Sequence, residues 1–202
     1  MIEGLPPDKF AQGVPFVRVA RAAGALGLDL ADFAERSLLI VGSNGKGTTA
    51  AAVAAALQTQ RARVGLFTSP HVMSVTERFR LNGAPIALET LQRLSRSVAA
   101  ASSQRLGAFE HLFLIAALWF QEQACDAIVW EAGIGGRYDC TRLVGARHGA
   151  LVSLDLEHTA LLGDTLELIA CDKLDGFAPG ALIQCGASCR PSSPPRHKSG
   201  VA

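Results

Sequence analysis

The stretch Leu38 to Leu57, LLIVGSNGKGTTAAAVAAAL, constrains the fold of this chain more than any other. Leu38-Leu39-Ile40-Val41 is a short apolar run of the kind that forms a fully buried strand. It enters Gly42-Ser43-Asn44-Gly45-Lys46-Gly47-Thr48, and an alanine-rich run from Thr49 to Leu57 reads as a closely packed helix. Strand, glycine loop and helix in that order make an anion cradle. The glycines let backbone N–H groups approach a phosphate, the helix N-terminus adds partial positive charge, and Lys46 adds a full one. The general pattern for such loops puts Ser or Thr directly after the lysine. Here Gly47 intervenes and the hydroxyl comes at Thr48.

A buried parallel strand needs a domain around it. The chain's 202 residues, 49% of them hydrophobic, supply one. A net charge of +1 gives no basis for nucleic-acid or membrane partners. The apolar run Leu112 to Phe120 is too short to span a bilayer, and MIEGLPPDKF is not a signal peptide. The five cysteines show no CxxC pairing, which suits the reducing cytoplasm.

In chain order, Phe10 to Leu30 carries Phe10, Val14, Val17 and Ala20 at helical spacing. Val64 to Phe67 is a second strand, ending in Thr68-Ser69-Pro70-His71. Thr76 to Asn82 alternates weakly and closes on the turn signal Asn82-Gly83. Leu88 to Ser103 and Phe109 to Ala124 read as helices, Ala127 to Trp130 and Ala150 to Leu154 as strands. A helix from Thr165 to Lys173 and a short strand at Ala181 to Ile183 follow. From Gln184 to Ala202, prolines and serines replace apolar residues, the composition of a disordered tail. Alternating strands and helices predict an α/β fold: a mostly parallel sheet flanked by helices, with ligands outside the carboxyl ends of its strands. Lys46, Ser69, Glu131 and His158 each follow a separate predicted strand, so they converge on one edge. A nucleoside triphosphate there needs Mg²⁺, for which Glu131 offers a carboxylate and Ser69 a hydroxyl, while imidazole is a less usual partner.

The ordered series of motifs resembles the dihydrofolate synthase/folylpolyglutamate synthase family, relatives of the Mur ligases. It consists of GSNGKGT at Gly42 to Thr48, Ser69-Pro70-His71, Glu77-Arg78, Asn82-Gly83, and Phe109-Glu110. It continues with Glu131, Gly133-Ile134-Gly135-Gly136-Arg137, Asp139, Thr141, His158-Thr159, Gly163 and Lys173. The resemblance runs from about Leu26 to Gly180 and implies a P-loop sheet of the Mur ligase central-domain type. It implies a ligase, monomeric if complete, in which ATP phosphorylates a dihydropteroate or folate carboxylate and L-glutamate attacks the acyl phosphate. By that resemblance Gly42, Ser43, Asn44, Gly45, Lys46, Gly47 and Thr48 bind ATP, and Ser69, Glu131 and His158 hold magnesium. Gly107, Ala108, Phe109 and Glu110, with Tyr138, Asp139 and Cys140, match segments that contact the pterin substrate. Lys46, Asp139 and Lys173 are the catalytic candidates, Lys173 matching a lysine that carries a carbamate.

By residue type alone, Phe109 and Glu110 also suit the start of an amphipathic helix, Asp139 a turn cap, and Lys173 a solvated surface position. Arg142 and Glu157 stand where the family usually has Asn and Asp, and Asp172-Lys173-Leu174 departs from the usual lysine context. The family continues into a second α/β domain. The reading is therefore of an N-terminal ATP-binding part (1–183), incomplete and followed by the tail (184–202), that does not complete the ligase reaction alone. The alternatives are another P-loop enzyme, such as a small-acid kinase, or a non-catalytic nucleotide-binding remnant.

Overall fold

The computed structural model describes residues 16–60 and 63–189. Seven strands form one mixed sheet: β1 (Ser37–Val41), β2 (Val64–Phe67), β3 (Phe79–Leu81), β4 (Ala84–Pro85), β5 (Ala127–Glu131), β6 (His148–Leu151) and β7 (Leu182–Cys185). Their order is β4-β3-β2-β5-β1-β6-β7. The five strands from β2 to β7 run parallel, and β3 and β4 add an antiparallel hairpin at one edge. That hairpin turns at Asn82 and Gly83, both in the left-handed region (φ 49° and 81°), as a two-residue turn with this twist requires.

The central strands are buried on both faces. Leu39 and Val41 enter one apolar cluster and Ile40 the other. Likewise Ile128 and Trp130 of β5 point one way and Val129 the other. On the smaller face lies α2 (Lys46–Gln58), whose Ala50 and Ala54 let the helix approach the sheet closely. The larger face carries α1 (Phe16–Ala25), α3 (Leu88–Ala101) and α4 (Ala108–Glu122). Its centre is Trp130, ringed by Phe33, Phe67, Phe113 and Phe120 at centroid distances of 5.3–6.2 Å. The indole N–H donates to Ser37 Oγ at 2.8 Å, so this buried polar atom is satisfied. The short α5 (Thr159–Leu162) and then α6 (Leu166–Leu174), capped by Thr165, lead into β7.

Several elements differ from the sequence reading. Helix α2 starts at Lys46, three residues early, because Gly45 takes the left-handed conformation (φ 79°) and closes the loop there. Helix α1 ends at Ala25, where Gly27 (φ 70°) reverses the chain into a 3-10 turn from Leu30 to Arg36 capped by Asp29; Phe10 and Val14 lie outside the described residues. Strand β6 occupies His148–Leu151 rather than Ala150 to Leu154. Beyond it, Ser153 leaves the sheet to bond the glycine loop. Gln184 and Cys185, assigned to the tail, complete β7 against Ala150 and Leu151. Ala187–Cys189, also assigned to that tail, form a 3-10 turn, and from Arg190 on the tail lies outside the described residues. All five cysteines are free thiols. Among the described residues no helix is long and apolar enough to cross a membrane.

Candidate active site

The loop between β1 and α2 owes its shape to two glycines. At Gly42 (φ 149°) a Cβ would stand 3.0 Å from the Ser153 amide nitrogen, so only glycine lets the chains meet there. Gly45 supplies the left-handed turn into the helix. Ser153 then pins the loop from the side. Its carbonyl accepts from Ser43 N, and its hydroxyl bridges Asn44 N (2.8 Å) and Asn44 O (2.9 Å). Ser43 Oγ in turn bonds the backbone of Asp155. The Lys46 ammonium folds back over the loop, donating to Gly42 O at 2.8 Å and Ser43 O at 3.1 Å. Burial, aided by the like charge of Lys173, moves its pKa down from the ordinary lysine value despite the opposing pull of nearby carboxylates.

Glu131 ends β5, the strand hydrogen-bonded to β1, and its Cα lies in register with Ile40. That register places the carboxylate beside the loop: a Cβ on Gly47 would stand 3.3 Å from Glu131 Oε2. The same oxygen accepts from Ser69 N at 2.7 Å, which ties in the end of β2. Burial raises the Glu131 carboxyl above the ordinary range, more than the Ser69 bond and the charges of Lys46 and Arg78 lower it. Loop, Ser69 and Glu131 share one open cavity of about 550 Å³. Pro70, Phe109 and Ile134 give this cavity an apolar side, and Arg78 gives it a second cation.

Arg78 was not among the candidates. Its Nε donates to His71 Nδ1 at 2.8 Å, and burial lowers its pKa from the usual guanidinium value while Glu131 opposes that. Its signals in the sequence are the Glu77-Arg78 pair in the ordered motif series and its place after Ser69-Pro70-His71, ten residues that loop out and return through the 3-10 turn Val75–Arg78.

The other candidates divide. Phe109 lines the cavity. Glu110 is turned inward: its carboxylate takes Arg18 Nε at 2.8 Å and Nη2 at 2.6 Å and closes a capping box on Gly107, as a helix-start reading allows. Ala108 opens α4, Cys140 is buried and Tyr138 is exposed. Asp139 is fully buried and caps a turn: Oδ2 accepts from Gly133 N, and Oδ1 from Thr141 N and Oγ1. It therefore shapes the glycine-rich segment instead of facing the cavity. Asp172 grips the same segment through Gly136 N at 2.9 Å, and Gly135 has no room for a Cβ against that carboxylate. His158 is exposed, in the left-handed region at the start of α5, and does not line the cavity.

Lys173 is not a solvated lysine: it is 1% exposed, and its Nζ reaches Glu157 Oε1 at 2.7 Å and Gly42 O at 3.1 Å. Burial favours the neutral Glu157 carboxyl, but the hydrogen bond and charge of Lys173, with Ser43 and Lys46, prevail and hold its pKa below the ordinary range.

No family model matches the chain. It is 36% identical over 165 residues to the mitochondrial folylpolyglutamate synthase of Bos taurus, a match that covers 76% of this chain and 28% of that protein. E. coli FolC, solved in complex with DHPP and ADP, superposes with a TM-score of 0.81 at 28% identity, covering 91% of this chain and 49% of that one. An FPGS solved as a complex with AMPPCP and folate gives a TM-score of 0.83 at 29% identity, over 91% and 46% of the two chains. The chain thus spans about half the length of these solved relatives. With the strand–loop–helix unit, Ser69, Glu131 and the glycine-rich segment set on the shared fold, this chain belongs to the folylpolyglutamate synthase/dihydrofolate synthase family.

Proposed function

We propose that this chain binds ATP and forms the phosphoryl-transfer site of a ligase that joins L-glutamate to dihydropteroate or a folate through an acyl phosphate. The observation that carries this reading is the shared cavity, in which Lys46, Glu131 and Ser69 meet from the ends of three adjacent strands. Triphosphate oxygens sit over the backbone of Asn44 to Gly47 at the start of α2, and Lys46 turns from its loop carbonyls to meet them. The residues fit Mg²⁺: Glu131 Oε1 takes no protein donor among the described residues, and the Ser69 hydroxyl and Thr48 add oxygen chemistry on the same wall. A bound Mg²⁺ offsets charge on the phosphates. Two carboxylate or hydroxyl ligands suffice for an ion that keeps its waters, so His158 is not required. The acyl substrate lies along Phe109, Pro70 and Ile134, with Arg78 facing its carboxylate. Asp139 and Glu110 act one step back, the first by shaping the Gly133 turn and the second by fixing α4. The reaction proceeds in a reducing aqueous compartment such as the cytoplasm, where the five thiols stay free.

The test is calorimetry of Mg·ATP with the unaltered chain and Lys46→Met, then ADP release with dihydropteroate, with and without L-glutamate. Loss of ATP binding in the variant supports the loop assignment. ADP release that ignores L-glutamate would point to a kinase of a small acid instead.

A further inference from the structure

The glycine loop is held from outside by the end of β6. Ser153, two residues past that strand, offers both its backbone and its side chain. Its carbonyl accepts from Ser43 N at 3.0 Å, while its hydroxyl accepts from Asn44 N at 2.8 Å and donates to Asn44 O at 2.9 Å. Ser153 is itself fixed. Val152 N donates to Val41 O at 2.9 Å, and a Cβ on Gly42 would stand 3.0 Å from Ser153 N, so the two backbones are in contact. The Asn44–Gly45 peptide is trans, and a trans peptide points its C=O and N–H in opposite directions. An Asn44 oxygen drawn toward Ser153 therefore turns the Gly45 N–H away from β6. Gly45 lines the cavity, and its N–H has no acceptor among the described residues. Lys46, Gly47 and Thr48 open α2, where amides lack intrahelical partners, so Gly45 extends that row of donors by one.

We propose that Ser153 is a positioning residue for the triphosphate: by gripping Asn44 it aims the Gly45 N–H into the cavity and keeps it aimed while Lys46 moves. This rests on the nucleotide reading above. The bonds from Lys46 to Gly42 O and Ser43 O end when the ammonium turns to a phosphate. Those from Ser153 do not, because Ser153 does not line the cavity and has no ligand to turn to. Without the hydroxyl the Asn44–Gly45 peptide is free to rotate, since a glycine offers little steric resistance. Its N–H and its carbonyl then compete for the cavity side, and a carbonyl oxygen facing a triphosphate repels it. A loop left loose in this way has to be ordered by the nucleotide itself, which lowers affinity.

The experiment titrates Mg·ATP into the unaltered full chain, Ser153→Ala and Ser153→Thr, read by calorimetry and by amide NMR of the ¹⁵N-labelled proteins. Ser153→Ala should weaken binding about tenfold, the scale of two neutral hydrogen bonds lost from the loop. Ser153→Thr keeps the hydroxyl and should stay within about threefold of the unaltered protein. At saturation the Gly45 amide resonance should shift strongly in the unaltered protein and in Ser153→Thr, and by less than about half as much in Ser153→Ala. The amides of Lys46 to Thr48, set by α2, should respond alike in all three. Weaker binding with an unchanged Gly45 response would show a structural role only and overturn the proposal, as would unchanged affinity in Ser153→Ala. If Ser153→Ala does not fold by circular dichroism, Ser153→Cys, which keeps the volume and weakens both bonds, should show the same selective loss at Gly45; a full Gly45 shift there would overturn the proposal too. If Mg·ATP moves no loop amide of the unaltered chain, the nucleotide reading falls, and this one with it. If it moves them equally in every variant, the nucleotide reading stands and only the role of Ser153 falls.

Discussion

Replacing Asp139 by Ala tests whether this carboxylate is a scaffold or a reacting group. Gly133 N at 3.0 Å, Thr141 N at 3.0 Å and Thr141 Oγ1 at 2.8 Å donate to it. Asp139 is 0% exposed, so water cannot replace it without opening the turn. Hydrogen bonds to a charged acceptor contribute about 1.5–3 kcal/mol each, and the carboxylate's own desolvation offsets part of their sum, which leaves a loss of about 3–5 kcal/mol. For a domain of this size that corresponds to a Tm roughly 6–20 °C lower. Asp139→Asn keeps the shape but not the chemistry. Its oxygen can serve Thr141, and its NH₂ then faces the Gly133 N–H, donor against donor. Asn should therefore recover only part of the loss. Urea denaturation followed by circular dichroism gives both free energies. A loss below about 1 kcal/mol for Asp139→Ala would refute the scaffold argument, and if Mg·ATP turnover still vanished it would return Asp139 to the chemistry.

Glu131→Gln should stabilise the ligand-free protein at neutral pH. Burial raises the folded-state pKa, so the stability associated with the protonated form is present below the ordinary carboxylate range and lost as pH rises through the raised value. Denaturation midpoints from acid to neutral pH should show the gain vanish on acidification, and a variant less stable at neutral pH would contradict this. Glu110→Gln breaks a bidentate pair whose partners are 11% and 9% exposed and should cost about 3–5 kcal/mol in denaturant unfolding; a neutral result would make Glu110 a ligand contact instead. In Gly65→Ala the new Cβ would stand 2.8 Å from the Phe120 ring and should cost about 1–3 kcal/mol, read as a lower Tm, with unchanged stability meaning that the ring moves freely.

What the sequence reveals is whatever local pattern determines. The runs at Leu38 and Ala127 are apolar throughout because both faces of β1 and β5 are buried, and the Asn82-Gly83 turn has its own backbone chemistry. The loop and Glu131 could be placed because strand ends of a parallel sheet share an edge. What escaped notice depends on partners far along the chain. Nothing near Glu110 announces Arg18, 92 residues away, whose guanidinium pairs with the carboxylate of this substrate candidate. Lys173 sits in a polar-looking sequence, Asp172-Lys173-Leu174-Asp175, and is buried only because Glu157 and the Gly42 carbonyl receive its charge. Composition extends β6 through Val152 to Leu154, whereas in the structure Ser153 is claimed by the glycine loop.

The position of β1 between β5 and β6 links the site to the history of the chain. Ser69 and Glu131 are 62 residues apart, and Lys173 and Gly42 are 131 apart, so no local segment contains a working corner of the cavity. These pairings close late, since long loops must be ordered before their contacts form. A partly folded chain can hold all its helices and still lack the place where Lys46 and Glu131 meet. Affinity for a triphosphate would then report completion of the sheet, and the nucleotide, by binding only the finished arrangement, would draw slow folders toward it.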